Sequence, residues 1–388
     1  MNLRRLASAA TIALAAGLAG CATWSWNPLV SLGIMSEPAN KPTPLGPVTG
    51  TVLPKAVWIT QVGPAGGFGF RPDVEGGRIV AASADGPITV LEEESGKVVT
   101  RADTKKKLAS GVEVGEGRII VGTLKGEVLA YDVATGKEVW ATSLGGEVIA
   151  PASVSRKIVV VRTADGRIFG LSLENGQRKW VFQRPMPSLL LRSESGVKAI
   201  DTNVIAGFAN GKMIALDIED GSLTWEVTVA NPRGATDLER ITDVAGLPVV
   251  DGPNVCAAAF QAKVACFEIQ SRNQLWSRDL STALPLAGDT RYVYVVDDKG
   301  AVHALDKVSG ASVWKQDKLL HRKVTAPLLV AGLLVVGDGF GFLHVLSTED
   351  GSIVGRLATD GSPILSMVTA AGGAAVQTAK GAVALVRF

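Results

Sequence analysis

One stretch, Gly126 to Trp140 (GEVLAYDVATGKEVW), recurs along this chain and limits what it can fold into. It reads as a strand of alternating apolar residues, a turn at Thr135-Gly136 where glycine supplies a positive φ, and a second strand ending at Trp140. A lone hairpin of this kind cannot bury its apolar faces and has to stack on copies of itself. Copies open at Gly86, Gly126, Gly166, Gly211, Ala262, Gly300, Gly341 and Gly381, spaced 40, 40, 45, 51, 38, 41 and 40 residues apart. A period near 40 with strand and turn signals, and no helical periodicity of useful length, predicts an all-β fold. The expected architecture is an eight-bladed β-propeller of four-stranded antiparallel blades over residues 53–388.

The tryptophan recurs as Trp140, Trp180, Trp225, Trp276 and Trp314, a set expected to dock each blade on the next. Three copies depart from the pattern: Thr100 and Gly355 stand at tryptophan places, and Ala262 and Arg272 replace the two glycines of the fifth copy. Trp58 lies one repeat before Thr100, while the copy from Gly381 has no room for its outer strand. The Trp58 strand is therefore expected to complete the eighth blade, closing the ring with strands from both ends of the chain. The innermost strands are expected in small-residue segments such as Val148-Ile149-Ala150-Pro151 and Thr325-Ala326-Pro327.

Residues 1–20 read as a signal peptide, with Arg4 and Arg5 before an apolar run from Leu6 to Leu18 that is short for a bilayer span. The run ends Leu18-Ala19-Gly20-Cys21, which resembles the bacterial lipobox and implies a lipidated Cys21 as the new N-terminus. Ala22 after it, rather than Asp, implies sorting to the outer membrane, facing the periplasm. An ordinary secretory signal with a chance cysteine is the other reading. Residues 21–52 carry Pro28, Pro38, Pro42, Pro44 and Pro47 and read as an extended tether. Trp24 and Trp26 would sit at headgroup level or have no fixed place.

Formal net charge is +2, and without the two arginines of the signal peptide it is zero, so no nucleic-acid partner is implied. Three Cys and three His are too few for a metal framework. No catalytic residues are assigned, because no Ser–His–Asp set, CxxC, P-loop or Asp-rich calcium loop occurs. His303 and His344 occupy matching strand places, and His321 lies on a loop that either faces a partner or packs. Asp132, Asp217 and Asp306 recur at one repeat position as turn hydrogen-bonders. If the fifth copy keeps the common hairpin, Cys256 faces Cys266; a cross-strand disulfide and two buried thiols are both open.

Two connections are long, residues 182–198 (FQRPMPSLLLRSESGVK) and 230–244 (ANPRGATDLERITDV). Function concentrates in such loops. Leu189, Leu191 and Arg192 in the first and Asp243 in the second, on neighbouring repeats, form the candidate protein-binding site. Asp243 would meet a cation on a partner or orient Arg192. The alternative for the leucines is packing on the propeller, with Arg192 paired to Glu194.

The Ala130–Trp140 pattern A-x-D-x-x-T-G-K-x-x-W resembles the repeat of quinoprotein (PQQ-type) propellers, over residues from about 55 to 388. Quinoprotein dehydrogenases hold their cofactor near the axis with a disulfide between adjacent cysteines and a calcium site, and no Cys-Cys pair occurs here. The lipobox, the tether and the segments PSLLLRSES, RITDV, LLHR and VVGD-x-x-GFLH together resemble the BamB family of outer membrane protein assembly lipoproteins. That resemblance implies a non-enzymatic scaffold without a cofactor, docked on the POTRA domains of BamA in the BAM complex. The family often has Asp-x-Asp in its second loop, where Asp243 is followed here by Val244 and Ala245. Unpaired blade edges would also offer unfolded outer membrane proteins a place to add a strand. A periplasmic PQQ-type oxidoreductase is the alternative function.

Overall fold

The computed structural model describes residues 40–48, 50–67, 69–187, 189–192, 194 and 196–388; residues 42–388 form the compact body. Cys21, the signal peptide, Trp24, Trp26 and most of the tether lie outside the described residues. Every regular element among those described is a β-strand, and the strands form eight four-stranded sheets. Blades 1 to 7 span residues 73–103, 113–143, 153–182, 197–228, 249–279, 287–316 and 328–358. Within each, consecutive strands pair antiparallel from the innermost outward, and the two middle strands are almost wholly buried. Blade 8 takes three strands from residues 364–387 and its outermost from Lys55–Gln61, which pairs with Ala382–Arg387.

Each outer turn is closed as the sequence dictates. The Asp132 carboxylate accepts from the backbone N–H and hydroxyl of Thr135 at 2.9 and 2.8 Å, and Gly136 follows at φ 67°. These turns serve the preceding blade as much as their own. The Trp140 indole donates to the Leu173 carbonyl at 2.9 Å, and a Cβ on Gly176 would come within 2.6 Å of that ring. Trp58 does the same at Glu93 (2.9 Å), Trp180 at Ile218 (2.8 Å), Trp276 at Lys307 (2.8 Å) and Trp314 at Thr348 (2.9 Å). Their facing turn glycines are Gly96, Gly221, Gly310 and Gly351. Thr100, in a tryptophan place, keeps a bond from its hydroxyl to the Ala134 carbonyl at 3.2 Å.

Near the axis a second contact joins blades. The first residue of the inner strand Asp73–Glu75 accepts the Val114 N–H at 2.7 Å, and Glu113 in turn accepts the Val154 N–H at 3.1 Å. Ser153 accepts from Ala199 at 3.1 Å. A side chain thus satisfies an edge N–H that no strand covers. Burial pushes the Glu113 carboxyl up to about 7, against its ion pair with Arg71 at 3.0 Å.

The innermost strands correct one expectation. They lie at Ser153–Ser155 and Leu328–Val330, not in the segments 148–151 and 325–327. Val148 instead donates to the Thr123 carbonyl of the preceding blade, and Pro151, Ala326 and Pro327 line the axial cavity.

Residues 42–48 and 50–54, read from sequence as tether and the run up to the first strand, are strapped to blade 7. Thr43 donates to Leu320, Arg322 donates to the Thr43 carbonyl at 3.1 Å, and Arg356 donates to that of Gly46 at 2.9 Å. Val52 bonds Val354, and Val52 and Pro54 fill the space beside Gly355, another tryptophan place. The substitution has a reason. The two outer strands of blade 8 come from opposite ends of the chain, so no hairpin turn exists there for a blade 7 tryptophan to cover. Leu319 and Arg322 are buried in this contact, so the Leu319–Arg322 loop packs. Asp338, fully buried, accepts from Arg322 at 2.7 Å and pairs with His344 at 3.0 Å; His303 and Asp297 repeat the latter pairing at 2.9 Å.

Cys256 and Cys266 are opposite each other on the middle strands of blade 5 and are joined as a disulfide, with Cα atoms 4.0 Å apart.

Candidate docking site

Two outer-to-inner crossovers, from blade 3 to blade 4 and from blade 4 to blade 5, meet on one face. The meeting point is a single carboxylate. Asp243 is 6 % exposed and accepts the Leu191 backbone N–H at 2.6 Å. Burial pushes its carboxyl up, while the N–H groups of Leu191 and Asn210 and the charge of Arg162 pull the other way. Arg162 is desolvated itself, which lowers its pKa to about 10 against the pull of Asp243. It donates to the Gly207 carbonyl at 2.5 Å and stacks over Phe208 at 4.7 Å, with Arg184 near the same ring at 5.4 Å. A cavity of about 50 Å³ under the loop, lined by Arg162, Met186, Leu191 and Asp243, has room for a few waters at most.

Above this base the side chains diverge. Leu189 is 45 % exposed, Leu190 and Leu191 are half-buried, and Arg192 is exposed. Arg192 pairs with Glu147 of the blade 2–blade 3 crossover at 2.7 Å, rather than with its near neighbour Glu194. Asp243 therefore shapes the leucine loop from below, a role that neither of its sequence readings contained. Glu147 was missed because its partner lies 45 residues away.

The same loop borders an axial cavity of about 600 Å³ to which seven blades contribute. Its wall is mostly apolar, with Phe70, Leu284, Pro327 and Met367, and its lip carries Arg71, Arg192 and Glu194. Glu194 reaches the N–H of Gly69, and its carboxyl is raised by desolvation. Gly69 ends a glycine-rich connection that opens Gly63-Pro64-Ala65-Gly66-Gly67 and that sequence reading passed over, although four glycines before a first blade mark a close backbone approach.

A quinone cofactor with its calcium ion does not fit this cavity. The two arginines at the lip are already paired, Arg71 with Glu113 and Arg192 with Glu147. Among the described residues no three His, Cys, Asp or Glu side chains gather where a cation would sit. The disulfide lies inside blade 5, away from the cavity wall. Among the described residues that line it, an anionic cofactor would find neither an arginine without an acidic partner nor the family's cysteine platform.

Comparison with known proteins identifies the family. The family profile described as "Outer membrane protein assembly factor BamB" matches residues 84–316. The chain is 49 % identical over 308 residues to the assembly factor BamB of Alkalilimnicola ehrlichii, covering 79 % of this chain and 80 % of that one. It is 41 % identical over 355 residues to BamB of Pseudomonas aeruginosa, covering 91 % and 90 %. The crystal structure of BamB from Moraxella catarrhalis superposes with a TM-score of 0.80 at 24 % identity, over 87 % of this chain and all of that one. A europium-containing methanol dehydrogenase, at 13 % identity and a TM-score of 0.71 over 84 % of each chain, shares the fold alone.

Proposed function

The chain belongs to the BamB family of outer membrane protein assembly factors, and from that premise we propose a non-enzymatic scaffold that docks on the periplasmic POTRA domains of BamA. Leu189 and Leu191 supply apolar anchors, and Arg192 supplies a planar donor for a carboxylate or carbonyl. The observation that carries this reading is the Asp243–Leu191 bond, which ties two extended loops into one surface from beneath. Asp243 holds the loop and touches the partner little. Glu147 aims Arg192. Cys21, if lipidated with two or three acyl chains, anchors the scaffold stably at the outer membrane.

One experiment tests anchor and dock together: detergent extraction of membranes followed by co-purification with BamA. Wild type should appear in the membrane fraction bound to BamA, and Cys21→Ala should move to the soluble periplasm. Leu189/Leu191/Arg192→Ala should stay in the membrane fraction with a melting temperature close to wild type and lose BamA. Intact BamA binding by the folded triple variant would sink the docking assignment. Membrane retention of Cys21→Ala without an acylated N-terminus would sink the anchor.

A further inference from the structure

The axial cavity has a floor that the docking surface does not use. In each blade one inner-strand residue stands opposite the third residue of the following strand. These are Asp73, Glu113, Ser153 and Lys198 in blades 1 to 4, and Val249, Ala287, Leu328 and Val368 in blades 5 to 8. In every blade but the second, that place lies within two residues of one that lines the cavity. Together they ring the axis, polar over one half and apolar over the other. The cavity wall repeats the division. Leu284, Pro285, Pro327, Leu365 and Met367 border it on the apolar half, and Arg71, Arg192 and Glu194 on the polar half.

The polar half contains one misfit. Asp73, Glu113 and Ser153 each accept an N–H from the next blade. Lys198 holds the fourth such place with an ammonium, which has three donors and no acceptor. Among the described residues it has no carboxylate or hydrogen-bond partner. Loss of solvent lowers its pKa, and the charge of Arg71 across the axis lowers it further. The surrounding acids are engaged or weakened. Glu113 pairs with Arg71, Asp73 takes the N–H groups of Val74 and Val114, and Glu194 takes that of Gly69. Burial raises all three carboxyls, which makes each a poor countercharge. Arg192 is paired with Glu147. Arg71 keeps one uncommitted donor, a buried Nε with no partner among the described residues. Two cations and a free N–H thus meet on one side of a cavity whose other side is hydrocarbon. The Lys198 side chain remains solvent-accessible, so a ligand can reach it.

We propose that the axial cavity binds a monocarboxylate with a hydrocarbon body, a free fatty acid, its head between Lys198 and Nε of Arg71 and its chain along the apolar half. Charge-assisted hydrogen bonds to both cations give the head its hold. A volume of about 600 Å³ suits one small ligand. The wall selects the body. Pro285 and Pro327 have no N–H, and the side chains of Leu284, Leu365 and Met367 carry no donor, so peptide carbonyls laid along them would be left unpaired. A methylene chain has no such groups. The inference does not depend on docking to BamA.

The test is calorimetric titration of decanoate into the full chain carrying Cys21→Ala, purified without detergent so that nothing competes for the cavity. Melting temperatures are recorded for every variant. Decanoate should bind one saturable site. Lys198→Met should weaken it about tenfold or more at an unchanged melting temperature, and Lys198→Arg should restore most of the loss. Met367→Gln should weaken it from the apolar side. Decanol should bind wild type and Lys198→Met alike, and more weakly than decanoate binds wild type. Absence of saturable decanoate binding overturns the proposal, as does wild-type affinity in Lys198→Met. Decanol binding as tightly as decanoate would make the cavity a plain apolar void and end the case for a head site. A peptide ending in Leu-Phe with a free carboxylate that binds where decanoate does not would also overturn it, because the site would then read peptide. Should Lys198→Met fail to fold, Met367→Gln and the decanol comparison still decide.

Discussion

The seam between blades 3 and 4 and the seam between blades 4 and 5 start from the same tryptophan and end differently. At the first, Trp180 donates to Ile218 at 2.8 Å and lies against Gly221. At the second, Trp225 is equally buried, but its indole nitrogen has no partner. The facing turn residue is Arg272, at φ 64°, where the other copies have glycine. The glycine is thus required twice: by its own turn, and by the ring of the preceding blade, which leaves no room for a Cβ. A substitution in one copy is registered 47 residues earlier, as an orphaned donor in its neighbour. The blade that carries the flaw also carries the disulfide.

The largest effect should come from removing the rings. Trp180→Ala should cost about 3–5 kcal/mol, as for other large buried aromatics. Trp225→Ala should cost about 1 kcal/mol less, because no hydrogen bond is lost and a buried unsatisfied donor is removed. Urea midpoints measured side by side decide it, and equal losses would break the comparison.

The axial contacts offer a second contrast, between a seam held by a hydroxyl and one held by a titrating carboxylate. Glu113 takes its proton near pH 7 in the fold and near 4.5 in the unfolded chain. The folded state therefore binds the extra proton between those values, and stability falls as pH rises from about 4.5 to about 7. The loss is at most about 3 kcal/mol. Glu113→Gln should flatten that slope between pH 5 and 8, leaving the smaller contribution of Asp73, whose carboxyl burial also raises. A slope unchanged in the variant would place the titration elsewhere.

The smallest effect sharpens the comparison from the other side. Arg272→Gly should stabilise by about 0.5–1 kcal/mol, relieving a left-handed arginine and giving Trp225 access to the repeat-equivalent Ile269 carbonyl. Protection of the Trp225 indole N–H from hydrogen exchange should rise with it. An unmoved midpoint and unchanged exchange would mean that the ring is held off for another reason.

These contrasts separate what a sequence displays from what it hides. Blade number, ring closure through Trp58 and the Asp132-type turns all follow from residues close together in the chain, so period and spacing expose them. The innermost strands Ser153–Ser155 and Leu328–Val330 have three residues each, too few to show alternation, and small-residue segments drew attention to the wrong side of them. The candidate site was legible as two long loops but not as a mechanism. Asp243 acts on Leu191 across 52 residues, and Arg192 chooses Glu147 over a carboxylate two places away. Which acid a loop arginine meets is decided by how adjacent blades are rotated about the axis, and no local pattern records that.

Ring closure has a kinetic side. Seven blades are built from hairpins of neighbouring strands, contacts of low sequence separation that can form early. The eighth has to bring Lys55–Gln61 to Ala382–Arg387, across nearly the whole chain. The entropy of that last loop grows only with the logarithm of its length, on the order of 5 kcal/mol, so the step is affordable but comes late. Until then, the first strand of the body waits with its edge exposed for the final one. A chain cut short leaves that edge open to association with other chains, so closure distinguishes a finished molecule from an unfinished one.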